Sequence, residues 1–242
     1  EIVVLDTDRY GRVLVLDGAI QITEKDEFVY HEMISHVPLL THPAPRRVAV
    51  VGGGDGGTIR EVLKHPCVEE VTLVEIDRRV VEVSKEFFPE VAGRLDDSRV
   101  RLVFDDGILY MRSRSSCFDV VIVDSTDPVG PAVGLFDVGF YRSVAEALGP
   151  DGILVAQTES PFVNDELIRR SFNAMAEVFP IVRLYLASVP TYPTGLWSFT
   201  MGSKSYDPLK VEFRGDDGST RLERLESLST RYFSRGVYGS CF

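Results

Sequence analysis

The segment Gly52-Gly53-Gly54-Asp55-Gly56-Gly57 puts five glycines in six positions, directly after the apolar run 48–51. Gly52, Gly54 and Gly57 fit the spacing G-x-G-x-x-G, in which missing Cβ atoms let backbone approach a nucleotide-like ligand. A tight strand-to-helix turn is the competing reading. Glu75 ends the next apolar run, where a carboxylate can take both hydroxyls of a ribose. A dinucleotide and an adenosyl-sulfonium ligand both satisfy these features. Asp55 favours the second, because a carboxylate inside the loop repels a pyrophosphate seated on helix N-terminal N–H groups and attracts a cation. Two further acidic clusters, Asp105-Asp106-Gly107 and Asp124-Ser125-Thr126-Asp127-Pro128, also end apolar runs. Ligands of open α/β sheets bind beyond the carboxyl ends of the strands. Five carboxylates, Asp55, Glu75, Asp106, Asp124 and Asp127, are therefore expected in one cleft. Singly, each could be a cap or a turn residue, and Asp105 is read as a neighbour or a cap.

The elements that would hold these residues alternate. Residues 2–5, 13–16 and 19–23 read as short strands with turns at Tyr10-Gly11 and Asp17-Gly18, and 26–40 reads as a helix. Beyond Pro43-Ala44-Pro45, strands are expected at 48–51, 71–75, 100–104, 118–124 and 153–157. Helices are expected at 58–65, 79–87, 140–148 and 165–178, with a short one from Gly107. Such alternation predicts βαβ units and a mostly parallel sheet. Strands at 181–188 and 197–202, with no helical pattern between them, predict an antiparallel pair at one edge. Leu222, Leu225 and Leu228 mark a C-terminal helix. The boundaries are set at 1–25 for a small N-terminal β-region and 26–242 for the larger α/β domain.

With 37 acidic and 26 basic residues among 242, the net charge is −11, and the basic residues are dispersed. No basic stripe suggests a nucleic-acid groove, no apolar run is long enough for a membrane helix, and no secretory signal opens the sequence. Cys67, Cys117 and Cys241 are far apart and are expected as free thiols, which predicts a cytoplasmic protein. Neither they nor His31, His36, His42 and His65 make a metal-ligand spacing, so no metal is expected.

Together these residues resemble the spermidine synthase (polyamine aminopropyltransferase) family along nearly the whole chain. The likeness rests on residues 10–18 (Tyr10 to Gly18), Gln21, 26–33 (Asp26 to Met33), 52–57, Val74-Glu75-Ile76-Asp77, Asp106-Gly107, 124–131 (Asp124 to Pro131) and 190–195 (Pro190 to Gly195). The resemblance implies a class I methyltransferase-like (Rossmann-like), doubly wound α/β fold with a small N-terminal β-hairpin domain, assembled as a homodimer or homotetramer. It implies decarboxylated S-adenosylmethionine as aminopropyl donor, with no tightly bound cofactor, and a diamine such as putrescine as acceptor. By motif, Gly52, Gly54, Glu75 and Ile76 would hold the nucleoside, Glu75 at the ribose. Asp106 and Gly107 would read the adenine, with Pro131 closing beside it. Asp55 and His31 would face the aminopropyl and amine groups, Asp124 would be the base, and Tyr30, Ser125, Asp127, Gln157 and Tyr192 would position the diamine. The family carries an additional N-terminal segment, with a Gln at the nucleoside and often a Trp near the diamine, and a C-terminal helix. The sequence starts after the first and stops before the second, so a longer natural chain is expected.

The chemistry asks for such residues. A sulfonium and an ammonium 4 Å apart repel by roughly 4 kcal/mol at an effective dielectric of 20. Deprotonating an amine of pKa ~10.4 at pH 7 costs roughly 4–5 kcal/mol. Carboxylates offset the first cost, and a base at Asp124, with Tyr30 as hydrogen-bond relay, meets the second. Other readings are a diamine N-methyltransferase, an NAD-dependent oxidoreductase suggested by the glycines alone, and a non-catalytic polyamine binder. Agmatine, cadaverine and spermidine are alternative acceptors. Residues 126–134 and 187–195, rich in Gly and Pro, are expected to gate the cleft.

Overall fold

The computed structural model describes residues 1–127, 130–213 and 221–242, with Gly130 and Pro131 as backbone only. Pro128 and Val129 of the acidic-proline motif lie outside the described residues, as does the side chain of Pro131, expected beside the adenine.

Seven strands make the main sheet: β4 (Arg47–Gly52), β5 (Glu70–Glu75), β6 (Val100–Phe104), β7 (Phe118–Asp124), β8 (Leu148–Gln157), β9 (Ile181–Ala187) and β10 (Trp197–Ser203). Their order is β6-β5-β4-β7-β8-β10-β9. The first five run parallel to one another, and β10 lies antiparallel between β8 and β9. The antiparallel pair at one edge is thus present. Successive residues of β4 show why the strands read as unbroken apolar runs. Val48 and Val50 enter one core with Met33, Ile59 and Ile122, while Ala49 and Val51 enter the other with Met111, Val123 and Tyr141. Both faces of a parallel sheet are covered, so both need apolar side chains.

Helices α1 (Glu27–Thr41) and α2 (Gly57–Val62) pack on the first face. Helices α5 (Gly107–Arg112), α6 (Val138–Ala147) and α7 (Asp165–Ala176) cover the second. A separate antiparallel sheet, β1 (Ile2–Thr7), β2 (Gly11–Leu16) and β3 (Ala19–Thr23), turns at Asp17 and Gly18, both at positive φ as the tight hairpin requires. Its Leu14 and Ile22 dock on Val83 of α3 (Arg78–Phe87) and Val91 of α4 (Pro89–Ala92).

The differences from expectation are local. α2 stops at Val62 rather than 65, and β8 begins at Leu148 rather than 153, pairing Leu148 with Phe118 across a register shift in β7. The C-terminal leucines lie around α8 (Arg221–Ser227), and a further helix, α9 (Arg235–Ser240), follows it. Of the two expected gates, 187–195 includes a 3-10 turn at Pro193–Gly195, and 126–134 enters one spanning Gly130–Phe136.

Candidate functional site

β4 and β7 are neighbours at the point where the sheet order reverses, and Gly52 pairs in register with Asp124. A cleft of about 770 Å³ opens there, beyond the carboxyl ends of the strands. Its walls carry Gly52, Gly54, Asp55, Glu75, Ile76, Asp106, Gly107, Asp124, Ser125 and Asp127. Tyr30, His31, Gln157 and Tyr192 complete it, so every expected site residue with a described side chain meets in one place. The walls of β2 and β3, including Gln21, close one side.

The glycines are what bring the acids so close. Gly52 and Gly53 have φ of 79° and 71°, conformations that a Cβ disfavours. A Cβ on Gly53 would stand 2.6 Å from Asp124 Oδ2, and one on Gly54 2.8 Å from Glu75 Oε2. A Cβ on Gly57 would enter the His31 ring. Glu75 is anchored by the backbone N–H groups of Gly54 (3.1 Å) and Asp77 (2.9 Å). Burial raises its pKa, and those N–H groups offset part of the rise.

Asp124 sits at the end of β7 with only 9% of its surface exposed. The Tyr30 hydroxyl donates to its Oδ1 at 2.7 Å, and the Thr58 hydroxyl to its Oδ2 at 2.6 Å. Burial and the charge of Asp55 raise its pKa against these two bonds and against His31. Tyr30 itself is pushed well above the phenol range, by burial first and then by Asp124, so it serves as a hydrogen-bond donor and not as an anion.

His31 lies between carboxylates. Its Nδ1 is 2.6 Å from Glu27 Oε2, and its Nε2 is 3.2 Å from Asp55 Oδ1. Burial disfavours the imidazolium, but Asp55 and Glu27 outweigh it and raise the pKa to about 10. Asp55 is in turn held low: burial pushes it up, while His31 and the Gly57 N–H, 2.7 Å away, pull it further down. The Arg60 guanidinium grips Glu27 through Nη1 and Nη2 at 3.1 and 2.8 Å. Ligating atoms of His31, Asp55 and Asp124 all lie within 4.8 Å of one another, a spacing that suits a small cation.

Several expected residues also have structural work. Asp106 caps α5, its Oδ1 accepting from the N–H of Ile108 (2.7 Å) and Leu109 (3.3 Å). Asp105, expected as a neighbour or a cap, is the neighbour: its Oδ1 accepts from the Asp106 N–H one residue short of the helix. Gln157 donates to the Ser125 carbonyl at 3.1 Å and accepts from the Glu159 N–H at 3.1 Å. Tyr192 donates to the Gln21 carbonyl at 2.7 Å, while its ring faces Tyr30 and Trp197. Trp197 is buried, yet it reaches the cleft wall.

Sequence reasoning missed Glu27, Thr58, Arg60, Glu159 and Asn164. Glu159 is 3% exposed, has φ 72°, and accepts from Asn164 Nδ2 at 3.0 Å. Burial, and then the neighbouring Asp127 carboxylate, raise its pKa to about 8. The available signals were the acid two positions past Gln157, at a strand end, and the i, i+4 pair of Glu27 and His31.

The sequence model of the family described as "Spermine/spermidine synthase domain" matches residues 27–212, and that described as "Spermidine synthase tetramerisation domain" matches 1–24. A "Polyamine aminopropyltransferase" of Moorella thermoacetica is 56% identical over the whole chain and 82% of its own length. One from Bacillus subtilis is 51% identical over 98% of the chain and 83% of its own length. Among solved structures, a spermidine synthase in complex with the transition-state analogue AdoDATO superimposes with TM-score 0.94 and 39% identity, covering 100% of this chain and 80% of that one. That of Thermotoga maritima gives 0.89 and 38%, covering 100% and 79%. Among the described residues, no helix is long and apolar enough to cross a membrane, and the three cysteines are free.

Proposed function

The chain belongs to the spermine/spermidine synthase family, a family of polyamine aminopropyltransferases, and we propose that it transfers the aminopropyl group of decarboxylated S-adenosylmethionine to putrescine, giving spermidine and methylthioadenosine. The observation that carries this reading is the Asp124 carboxylate, fixed by Tyr30 and Thr58 beside the Asp55–His31 pair. The nucleoside lies along the glycine loop, its ribose on Glu75 and its adenine between Ile76 and the Asp106-Gly107 turn. The amine nitrogen attacks the methylene next to sulfur. The new C–N bond forms as the C–S bond breaks, the leaving thioether is neutral, and the proton lost by nitrogen goes to Asp124. A general base of this kind contributes ~10²–10⁴-fold, and alignment of N, CH₂ and S supplies much of the rest. Ser125, Asp127, Gln157 and Tyr192 line the acceptor's side, and Glu159 joins them.

The match of residues 1–24 to a tetramerisation domain supports a homotetramer, with those residues as a unit apart from the catalytic domain. Free cysteines support a cytoplasmic setting. The acidic loop weighs against methyl transfer, because Asp55 attracts an aminopropyl ammonium and repels the carboxylate of the methyl donor. Initial rates with decarboxylated S-adenosylmethionine and a panel of putrescine, cadaverine, agmatine and spermidine test the proposal. Putrescine is expected to give the highest kcat/KM. A higher value for any other amine reassigns the acceptor, and turnover with S-adenosylmethionine but not its decarboxylated form replaces the reaction class.

Glu159 makes acceptor binding depend on pH. An acid raised to about 8 is mostly protonated at pH 6.5. The second ammonium of a diamine needs the carboxylate, so binding it there displaces that proton. The acceptor KM is therefore expected to fall by roughly 25-fold between pH 6.5 and 8.5. In Glu159→Gln this dependence should flatten; a wild-type slope that the variant retains assigns the effect elsewhere.

A further inference from the structure

We propose that the His31 imidazolium is the resident cation of the empty site: its Nε2 proton holds, between Asp55 and Asp124, the position that the donor's aminopropyl ammonium takes, and donor binding expels that proton to solvent. This rests on the aminopropyl donor proposed above. The charged and titratable groups facing His31 come from every neighbouring element. They are Glu27 and Tyr30 on its own helix, Asp55 on the glycine loop, Arg60 on α2 behind Glu27, and Asp124 at the end of β7. Three of these are carboxylates around one ring that is 1% exposed. Such a cluster is stable only with a positive charge in its midst, and in the empty site the imidazolium supplies it.

The geometry provides for exchange. Nδ1 faces Glu27 at 2.6 Å, and Glu27 is fixed by two Arg60 nitrogens. Nε2 faces Asp55 at 3.2 Å but off the line of a hydrogen bond, and it has no hydrogen-bond partner among the described residues. Of the two ring protons, the one on Nε2 is thus the less firmly held. An ammonium arriving at Asp55 would stand beside an imidazolium and repel it. Loss of the Nε2 proton removes that repulsion and leaves a lone pair that accepts an N–H from the ammonium. Glu27, acting through His31, is the positioning residue that fixes the remaining proton on Nδ1. The balance is one ammonium in and one proton out. The raised pKa of His31 agrees with a proton fully bound at pH 8 before the donor arrives.

Calorimetry of the full chain at pH 8, in two buffers with different heats of ionisation, counts released protons. Decarboxylated S-adenosylmethionine is expected to release about one proton more than methylthioadenosine, which shares the nucleoside but has no ammonium. The difference should vanish in His31→Gln. If it persists there, the proton belongs to Asp124 and the exchange is overturned. Histidine-selective ¹⁵N spectra of the wild type need no variant: His31 should pass from imidazolium to the neutral Nδ1–H tautomer on donor binding, and an unchanged imidazolium overturns the proposal. Donor binding with no proton released sinks the exchange alone. Failure of the wild type to bind the decarboxylated donor sinks the proposed function and the exchange with it.

Discussion

Asp124→Asn is expected to lower kcat by at least ~10²-fold while methylthioadenosine affinity stays within about threefold. The asparagine has nearly the shape of the aspartate, so the packing against Gly53, where even a Cβ would come within 2.6 Å of Oδ2, is preserved. In the proposed reaction, what changes is the proton acceptor. Asp124 is buried, and burial together with the Asp55 charge raises its pKa toward the range in which a carboxylate both stays ionised and takes a proton readily. Tyr30 and Thr58 each donate to one of its oxygens and leave it aimed and ionised. An amide cannot take the proton from the attacking amine, so the roughly 4–5 kcal/mol needed to deprotonate that amine is no longer offset at the site. The loss should appear in kcat and in kcat/KM for the acceptor, with nucleoside binding by calorimetry as the control. Turnover within threefold of wild type would remove Asp124 as the base.

The meeting of these acids in one cleft was legible because a parallel sheet ends its strands on one side. Once 48–51, 71–75 and 118–124 were read as strands, Asp55, Glu75 and Asp124 had to share an edge, and the register pairing of Gly52 with Asp124 is the structural form of that inference. The glycines carried a second message that spacing alone does not reveal: each leaves room for a particular side chain, Gly53 for Asp124, Gly54 for Glu75 and Gly57 for His31. Residues outside these motifs were hidden for a physical reason. Arg60 and Glu27 meet only because α1 packs across α2, and Thr58 reaches Asp124 only through the fold. Neither type nor spacing in one chain fixes such directions.

The misplaced elements have the same origin. Gly149-Pro150-Asp151-Gly152 has the composition of a turn, yet β8 runs through it because Leu148 pairs with Phe118 and Lys204 Nζ binds the carbonyls of Leu148 and Gly149 at 3.0 and 2.9 Å. α9 has no apolar period. It is held by tertiary contacts instead, with the Tyr238 hydroxyl 2.8 Å from Thr41 Oγ1 and its ring against Phe213 and Phe242. Asp106 shows that a functional and a structural reading of one carboxylate need not compete, since Oδ1 caps α5 in a residue that also lines the cleft.

Glu32→Ala is expected to cost about 3 kcal/mol of stability, or roughly 6–12 °C in Tm, while leaving the reaction centre assembled below the transition. Glu32 follows His31 on α1 but turns away from the cleft and is 1% exposed. Its carboxylate gathers the N–H groups of Arg231 (2.7 Å), Tyr232 (2.9 Å) and Phe233 (2.7 Å). Hydrogen bonds to a charged acceptor are worth roughly 1.5–3 kcal/mol each when buried. Only the Phe233 bond is fully buried and the other two are partly so, which brings the expected total of about 3 kcal/mol below that of three fully buried bonds. Removing the acceptor also loosens Phe233, whose ring packs on His36 of the same helix. Glu32→Gln keeps one acceptor oxygen but turns an NH₂ toward an N–H, so it should fall between wild type and alanine. Thermal unfolding of the three proteins, with kcat measured at 25 °C, separates the outcomes. A Tm within about 2 °C of wild type for Glu32→Ala would mean the 231–233 turn is held by its side chains rather than by this carboxylate. A large loss of kcat at unchanged Tm would place Glu32 in the site instead of behind it.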